Sequence, residues 1–91
     1  MEPYQRPGLM EGMTGEIKLF AGDFVPRGWM ICNGEILQQA SYMKLHHILG
    51  YRYGGDGRST FALPSLEPII SSNGTVVNYI ICVQGFFPSR S

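Results

Sequence analysis

This sequence predicts an α+β fold that is mostly β: a small antiparallel sheet or hairpin module with one short helix, at about residues 41–49, and long Gly/Pro loops. Three observations predict it. Glycine (12) and proline (6) are abundant and charged residues make up only 15% of the 91 residues, a profile of many turns and not of a helical bundle. Short apolar runs are separated by turn residues, Asn-Gly twice among them. Only one segment shifts to a helical period. A chain this long makes one domain with a modest core, so partner chains are expected to supply part of its stability.

Residues 1–13 form an N-terminal arm, rich in Pro, Gly and Met and without periodicity, and residues 14–91 form the domain. Ile17, Leu19 and Ala21 alternate with Glu16 and Lys18, the period of a half-buried strand with the apolar set inward. DFVPRG at 23–28 is a turn, with Pro26 setting φ. Trp29–Cys32 is a second, more buried strand, and Asn33-Gly34 is a strong hairpin signal. Residues 29–37 therefore read as a hairpin. Tyr42, Leu45, Ile48 and Leu49 share one helical face; Ser41 suits the N-cap and Gly50 the residue after the last turn. YRYGGDGRS at 51–59 is a Gly-rich loop, and 60–68, with two prolines, is at most an edge strand. Ile69-Ile70 pairs briefly. A second Asn-Gly turn leads into 75–85, the longest β-branched stretch and the central strand of the fold. Residues 86–91 are a tail. Trp29 and Phe61 are expected in the core.

Composition excludes several partners. Seven basic and seven acidic residues cancel and the basic ones are scattered, so the concentrated positive footprint that nucleic acid requires is absent. No apolar stretch is long enough for membrane insertion by a spanning helix. The N-terminus has no apolar core of the kind a signal peptide carries, so the protein is expected to be made in the cytoplasm.

The chemistry-bearing residues are few. His46 and His47 are adjacent on the helix and diverge by about 100°, so one chain cannot chelate a metal with both; near the helix C-terminus His is electrostatically favoured. GGDGRS matches neither phosphate-loop pattern and lacks the lysine; its glycines supply unusual φ angles, with Asp56 or Arg58 locking the loop. Cys32 and Cys82, fifty positions apart (32 to 82), sit in apolar runs, where a thiol is inert; buried free thiols are the expectation, a disulfide the alternative. No carboxylate pair or nucleophile–base constellation emerges. An enzyme is not expected, and neither is a cofactor or a metal. Tyr51, Arg52, Tyr53 and Arg58 are candidate interface residues, since Tyr and Arg are typical anchors; equally, Tyr51 and Tyr53 close the core beneath the loop.

The segment GEIKLFAGDFVPRGWMICNG at 15–34 resembles the opening of the phage tail collar domain, whose members (also known as microcystin-dependent proteins) show G-E-I-x-x-F-A-G, then P-x-G-W and a strand ending C-[DN]-G. The resemblance continues through Glu35-Ile36-Leu37, Leu49-Gly50, Tyr53-Gly54-Gly55-Asp56-Gly57 and Phe61-Ala62-Leu63-Pro64, and resumes at Asn78-Tyr79-Ile80-Ile81 and Gln84-Gly85-Phe86-Phe87-Pro88-Ser89. Two features depart from the family. Only 69–77 stands where relatives carry a long, distal, receptor-facing segment, and Ser65-Leu66-Glu67-Pro68 replaces D-L-R-G-R. The resemblance implies a structural component of a phage tail, a tail-like particle or an extracellular filament, located in the virion tail or outside the cell. It implies homo-oligomers, as trimer or filament, and contact with other tail or fibre proteins. The alternative is an adhesin that binds a host surface glycan or protein through the 51–58 loop. The arm, with Tyr4, Leu9 and Met10 as apolar anchors and Pro3 and Pro7 keeping it extended, is expected to add to a neighbouring chain at an exposed strand edge.

Overall fold

The computed structural model describes residues 12–88; the arm anchors Tyr4, Leu9 and Met10 lie outside them. The elements follow the order β1 (Ile17–Phe20), β2 (Trp29–Ile31), β3 (Ile36–Gln38), a 3₁₀ turn (Gln39–Ser41), α1 (Met43–Leu49), β4 (Thr60–Ala62), β5 (Ile69–Ile70) and β6 (Val76–Cys82). The fold is mostly β with one short helix, as its turn-rich composition requires.

Strand β6 is the organiser. It is apolar at both parities, and Ile80 and Ile81 are both fully buried although they point to opposite faces. Three strands pair with it, all antiparallel. β1 aligns Ile17 with Ile81 and Leu19 with Tyr79. β2 aligns Trp29 with Cys82 and Ile31 with Ile80. β5 aligns Ile69 with Val77 and Ile70 with Val76. A separate two-stranded sheet joins β3 to β4.

The register divides the main sheet into two faces. On the first, Ile81, Met30 and Tyr79 pack against Leu45 and Leu49 of α1 and against Leu37, Phe61 and Leu63. Leu45 and Leu49 are one helical turn apart, so both enter the core, each contributing roughly 1.5–3 kcal/mol. On the second face Trp29, Ile80 and Cys82 form a smaller cluster with Phe20 and Ile31. Trp29 and Phe61 are buried, and Cys32 and Cys82 are buried and free.

Several expectations need correction. Residues 29–37 are not a hairpin. The Asn33-Gly34 turn carries the chain from one sheet to the other: the Cys32 N–H still donates to Tyr79 O (3.0 Å), whereas the Gly34 N–H donates to Pro64 O (3.2 Å). The polarity of β1 is also inverted. Ile17 (38% exposed) and Leu19 (46%) lie at the rim of the first face, where α1 closes over Met30 and Tyr79 but leaves the edge strand uncovered, while Lys18 and Phe20 turn toward Trp29. Ser41 does not cap α1. It ends the 3₁₀ turn, in which the Tyr42 N–H donates to Gln39 O (3.2 Å), and Tyr42 becomes the N-cap without a side-chain bond. The tail is tied at Phe86, whose N–H donates to Gly12 O (2.9 Å) and whose carbonyl accepts from Thr14 N–H (2.7 Å).

Candidate functional site

Helix α1 ends at Gly50, whose φ of 60° and ψ of −145° suit only glycine. The reversal brings the Tyr51 ring over His46 (centroids 4.7 Å apart), and His46 in turn stands edge-on to Phe61 (5.1 Å). His46 Nε2 is buried there and has no hydrogen-bond partner among the described residues. The Tyr51 hydroxyl donates to Gln39 Oε1 (2.9 Å), fixing the ring to the turn before the helix.

Beyond Tyr53 the loop winds around one carboxylate. Asp56 Oδ1 accepts the backbone N–H groups of Arg58 (2.8 Å), Ser59 (2.9 Å) and Thr60 (3.0 Å), and Oδ2 accepts the Ser59 hydroxyl (3.1 Å). The Asp56 N–H donates to Thr60 Oγ1 (2.9 Å). These N–H donors, Thr60 first, hold the Asp56 carboxyl well below the ordinary carboxylate range. Gly55 makes the wind possible: its φ is 113°, and a Cβ there would collide with the Thr60 carbonyl and Phe61 Cα. The loop is thus held by its own polar groups, with Asp56 as the lock and Arg58 contributing its backbone.

Tyr51 (41% exposed), Arg52, Tyr53 (45%) and Arg58 all come together on this loop and all face solvent. The structure therefore favours surface over core for the two tyrosines, although the Tyr51 ring also shields His46.

A second surface was not read from the sequence. On the second face of the main sheet, Phe20, Phe24, Val25, Ile31, Val76 and Ile80 line an apolar groove of about 290 Å³. Phe24 stands edge-on to Phe20 (5.3 Å) and is 62% exposed. Ile70 and Val76, paired across β5 and β6, are exposed on the same face. The signal lay in β6: apolar residues at both parities imply a strand that needs cover on both sides.

The thiols offer no nucleophile. Desolvation pushes Cys32 up to about 11 and also raises Cys82. Among the described residues no three His, Cys, Asp or Glu side chains gather as a metal site would need.

Comparison with known families matches the phage tail collar domain over residues 15–68, from the turn before β1 to the end of the extended segment after β4. This chain belongs to the phage tail collar domain family. Collar domains are structural parts of phage tails. The matched region holds β1 to β4, α1 and the Asp56 loop; the 78–90 likeness read from sequence lies beyond it, as do β5 and β6. Residues 69–77 close a hairpin in which Asn73 Oδ1 accepts the Thr75 N–H (3.1 Å) and hydroxyl (2.7 Å). No curated protein matches the chain.

Proposed function

We propose that this collar protein is an assembly unit of a phage tail or tail-like particle, joining copies of itself and neighbouring tail proteins through apolar sheet surfaces. The observation that carries this is edge strand β1. Among the described residues it pairs only with β6, and its Ile17 and Leu19 side chains are exposed beside an unpaired backbone edge. An edge with apolar side chains and free N–H and C=O groups is a template for another chain. Collar-domain membership supports a place in the tail. Trimer and filament are both compatible with one edge, depending on whether the rotation between copies closes. Light scattering on the purified chain tests the reading. An oligomer is expected, reduced to monomer by Ile17→Lys with Leu19→Lys at unchanged circular dichroism; a wild-type chain that stays monomeric at high concentration would overturn it.

A second reading, an adhesin, is favoured by one observation: Tyr51, Arg52, Tyr53 and Arg58 stand exposed on a loop already fixed by Asp56, so ordering it on binding requires little entropy. A glycan array checks it. Hits that vanish with Arg58→Ala support it; an array without hits removes it.

A further inference from the structure

Backbone groups of β1 alternate between β6 and the open edge. The Cys82 N–H donates to Glu16 O (2.9 Å), whereas the Val83 N–H donates to Gly28 O (2.8 Å) and Tyr79 O accepts from the Cys32 N–H (3.0 Å). Even-numbered residues of β6 therefore bond toward β1, and odd-numbered ones toward β2. The register sets Lys18 on Ile80 and Phe20 on Asn78. Lys18 and Phe20 thus bond inward, and the N–H and C=O groups of Ile17 and Leu19 turn to the open edge. Ala21 continues that parity. Among the described residues β1 is also the longest open edge. β2 is shorter and partly closed, since the Trp29 N–H donates to Pro26 O (3.1 Å) and Ile31 O accepts from the Asn33 N–H (2.9 Å). β4 is closed at Ala62, whose N–H donates to Gly54 O (3.1 Å), and β5 has only two residues.

We infer that the partner of this edge is β1 of a second copy, paired antiparallel about a two-fold axis with Leu19 opposite Leu19. This rests on the proposed assembly through β1 and adds to it the partner and the register. Antiparallel is the sense of every ladder in the main sheet. The axis can fall at any of the four residues of β1, and the residues themselves choose between them. At Ile17, the next bonds fall to Gly15, whose N–H is already given to Cys82 O (2.9 Å). At Lys18, two ammonium groups stand directly opposed at the close Cα spacing of about 4.5 Å, and like charges so placed are destabilising. At Phe20, Ile17 runs out against the bend at 22–24. At Leu19, Ile17 meets Ala21, Lys18 meets Phe20 and Glu16 meets Gly22, so every outward group of the strand finds a partner and no charge opposes its like. The four-stranded sheet then continues across the axis, and the exposed Ile17 and Leu19 side chains of the two copies gather on one face.

The purified full chain tests this in two ways. Ile17→Cys, Lys18→Cys and Leu19→Cys chains are oxidised and run without reductant, with the wild type, whose own thiols are buried, as background. Opposed residues of a hydrogen-bonded pair have Cα atoms about 5.5 Å apart, within disulfide reach. Leu19→Cys should therefore give a covalent dimer and the other two should not. Crosslinking at 17 or 18 but not at 19, or at none of them although light scattering shows an oligomer, overturns the inference and leaves assembly standing; a trimer that forms with no dimer does the same. A wild-type chain that stays monomeric at high concentration overturns both. In the second arm, wild-type and Lys18→Glu chains of distinguishable mass are mixed in equal amounts for native mass spectrometry. Near-statistical pairing is expected. A strong preference for the mixed dimer would set position 18 against itself and overturn the register.

Discussion

The Lys18 ammonium lies 5.0 Å from the centroid of the Trp29 ring. It also stands 3.5 Å from Glu16 Oε2, but both side chains are more than a third exposed, so that ion pair contributes little. The ring contact accompanies the register of β1 on β6, which sets Lys18 on the second face beside Ile80. The same register places Ile17 and Leu19 at the rim of the first face. Replacing Lys18 by Met keeps the apolar stem and removes the charge; urea denaturation should show a loss of about 0.5–1 kcal/mol. Trp29→Ala removes the centre of the second-face cluster and should lose about 3–5 kcal/mol. An unchanged midpoint for Trp29→Ala would contradict its place in the core.

Asp56 gives the loop a pH dependence of known sign. Its folded carboxyl is held below the ordinary range, so on acidification the unfolded chain takes up this proton before the folded one does. The contribution is complete above the ordinary value, about 3.9, and is lost as pH falls toward the folded value. Asp56→Ala should melt below the wild type at neutral pH, and the gap should narrow below about pH 4. A gap independent of pH would show that the charge is not what holds the loop.

Gly55→Ala tests the backbone of the same loop. The residue sits at φ 113° and has no room for a Cβ, so strain and collision together should cost about 2 kcal/mol or more. Gly57→Ala is the control, since its φ is also positive but its Cβ would meet open space. It should lose less. Thermal melts of the two variants decide.

His46→Phe should be neutral or stabilising by about 1 kcal/mol. Among the described residues Nε2 is buried without a hydrogen-bond partner between two aromatic rings, and an apolar ring removes that unmet polar group. A large fall in melting temperature would mean that the imidazole makes a contact its geometry does not reveal.

Alkali should weaken the fold through Cys32. Past the ordinary thiol value, about 8.5, the unfolded chain releases its proton while the folded chain keeps it up to about 11. Stability therefore falls as pH rises through that interval, and Cys32→Ala should flatten the slope.

The parts of the fold that rest on local signals were legible in the sequence. Leu45 and Leu49 marked the helix face, the second Asn-Gly marked the 71–74 turn, and the β-branched run at 75–85 marked the central strand. The parts that failed depend on what lies across from them. Asn33-Gly34 is a turn by local chemistry, yet whether it folds a hairpin back or passes the chain to another sheet is decided by Tyr79 and Pro64, far off in sequence. Ile17 and Lys18 alternate as a half-buried strand should, but which set faces inward depends on a tryptophan eleven positions later and on how far α1 extends. In the candidate site, the Gly-rich loop and its Asp56 lock were readable because Asn and Asp bond to their own neighbours. The groove was not, because it is assembled from β1, the following turn, β2 and β6.

The dependence on β6 also sets an order of events during synthesis. Among the described residues, β1 and β2 have no partner in the main sheet until residues 76–82, well over forty positions after β2, have been made. Residues 76–82 must have left the ribosome before the main sheet can close, and until then the two early strands wait with open edges. Distant pairings of this kind slow folding and prolong exposure to aggregation. The same logic bears on the segment 15–68 that carries the family likeness: expressed alone, it would hold the helix and the β3–β4 pair but neither main-sheet ladder, and it should not behave as a folded unit.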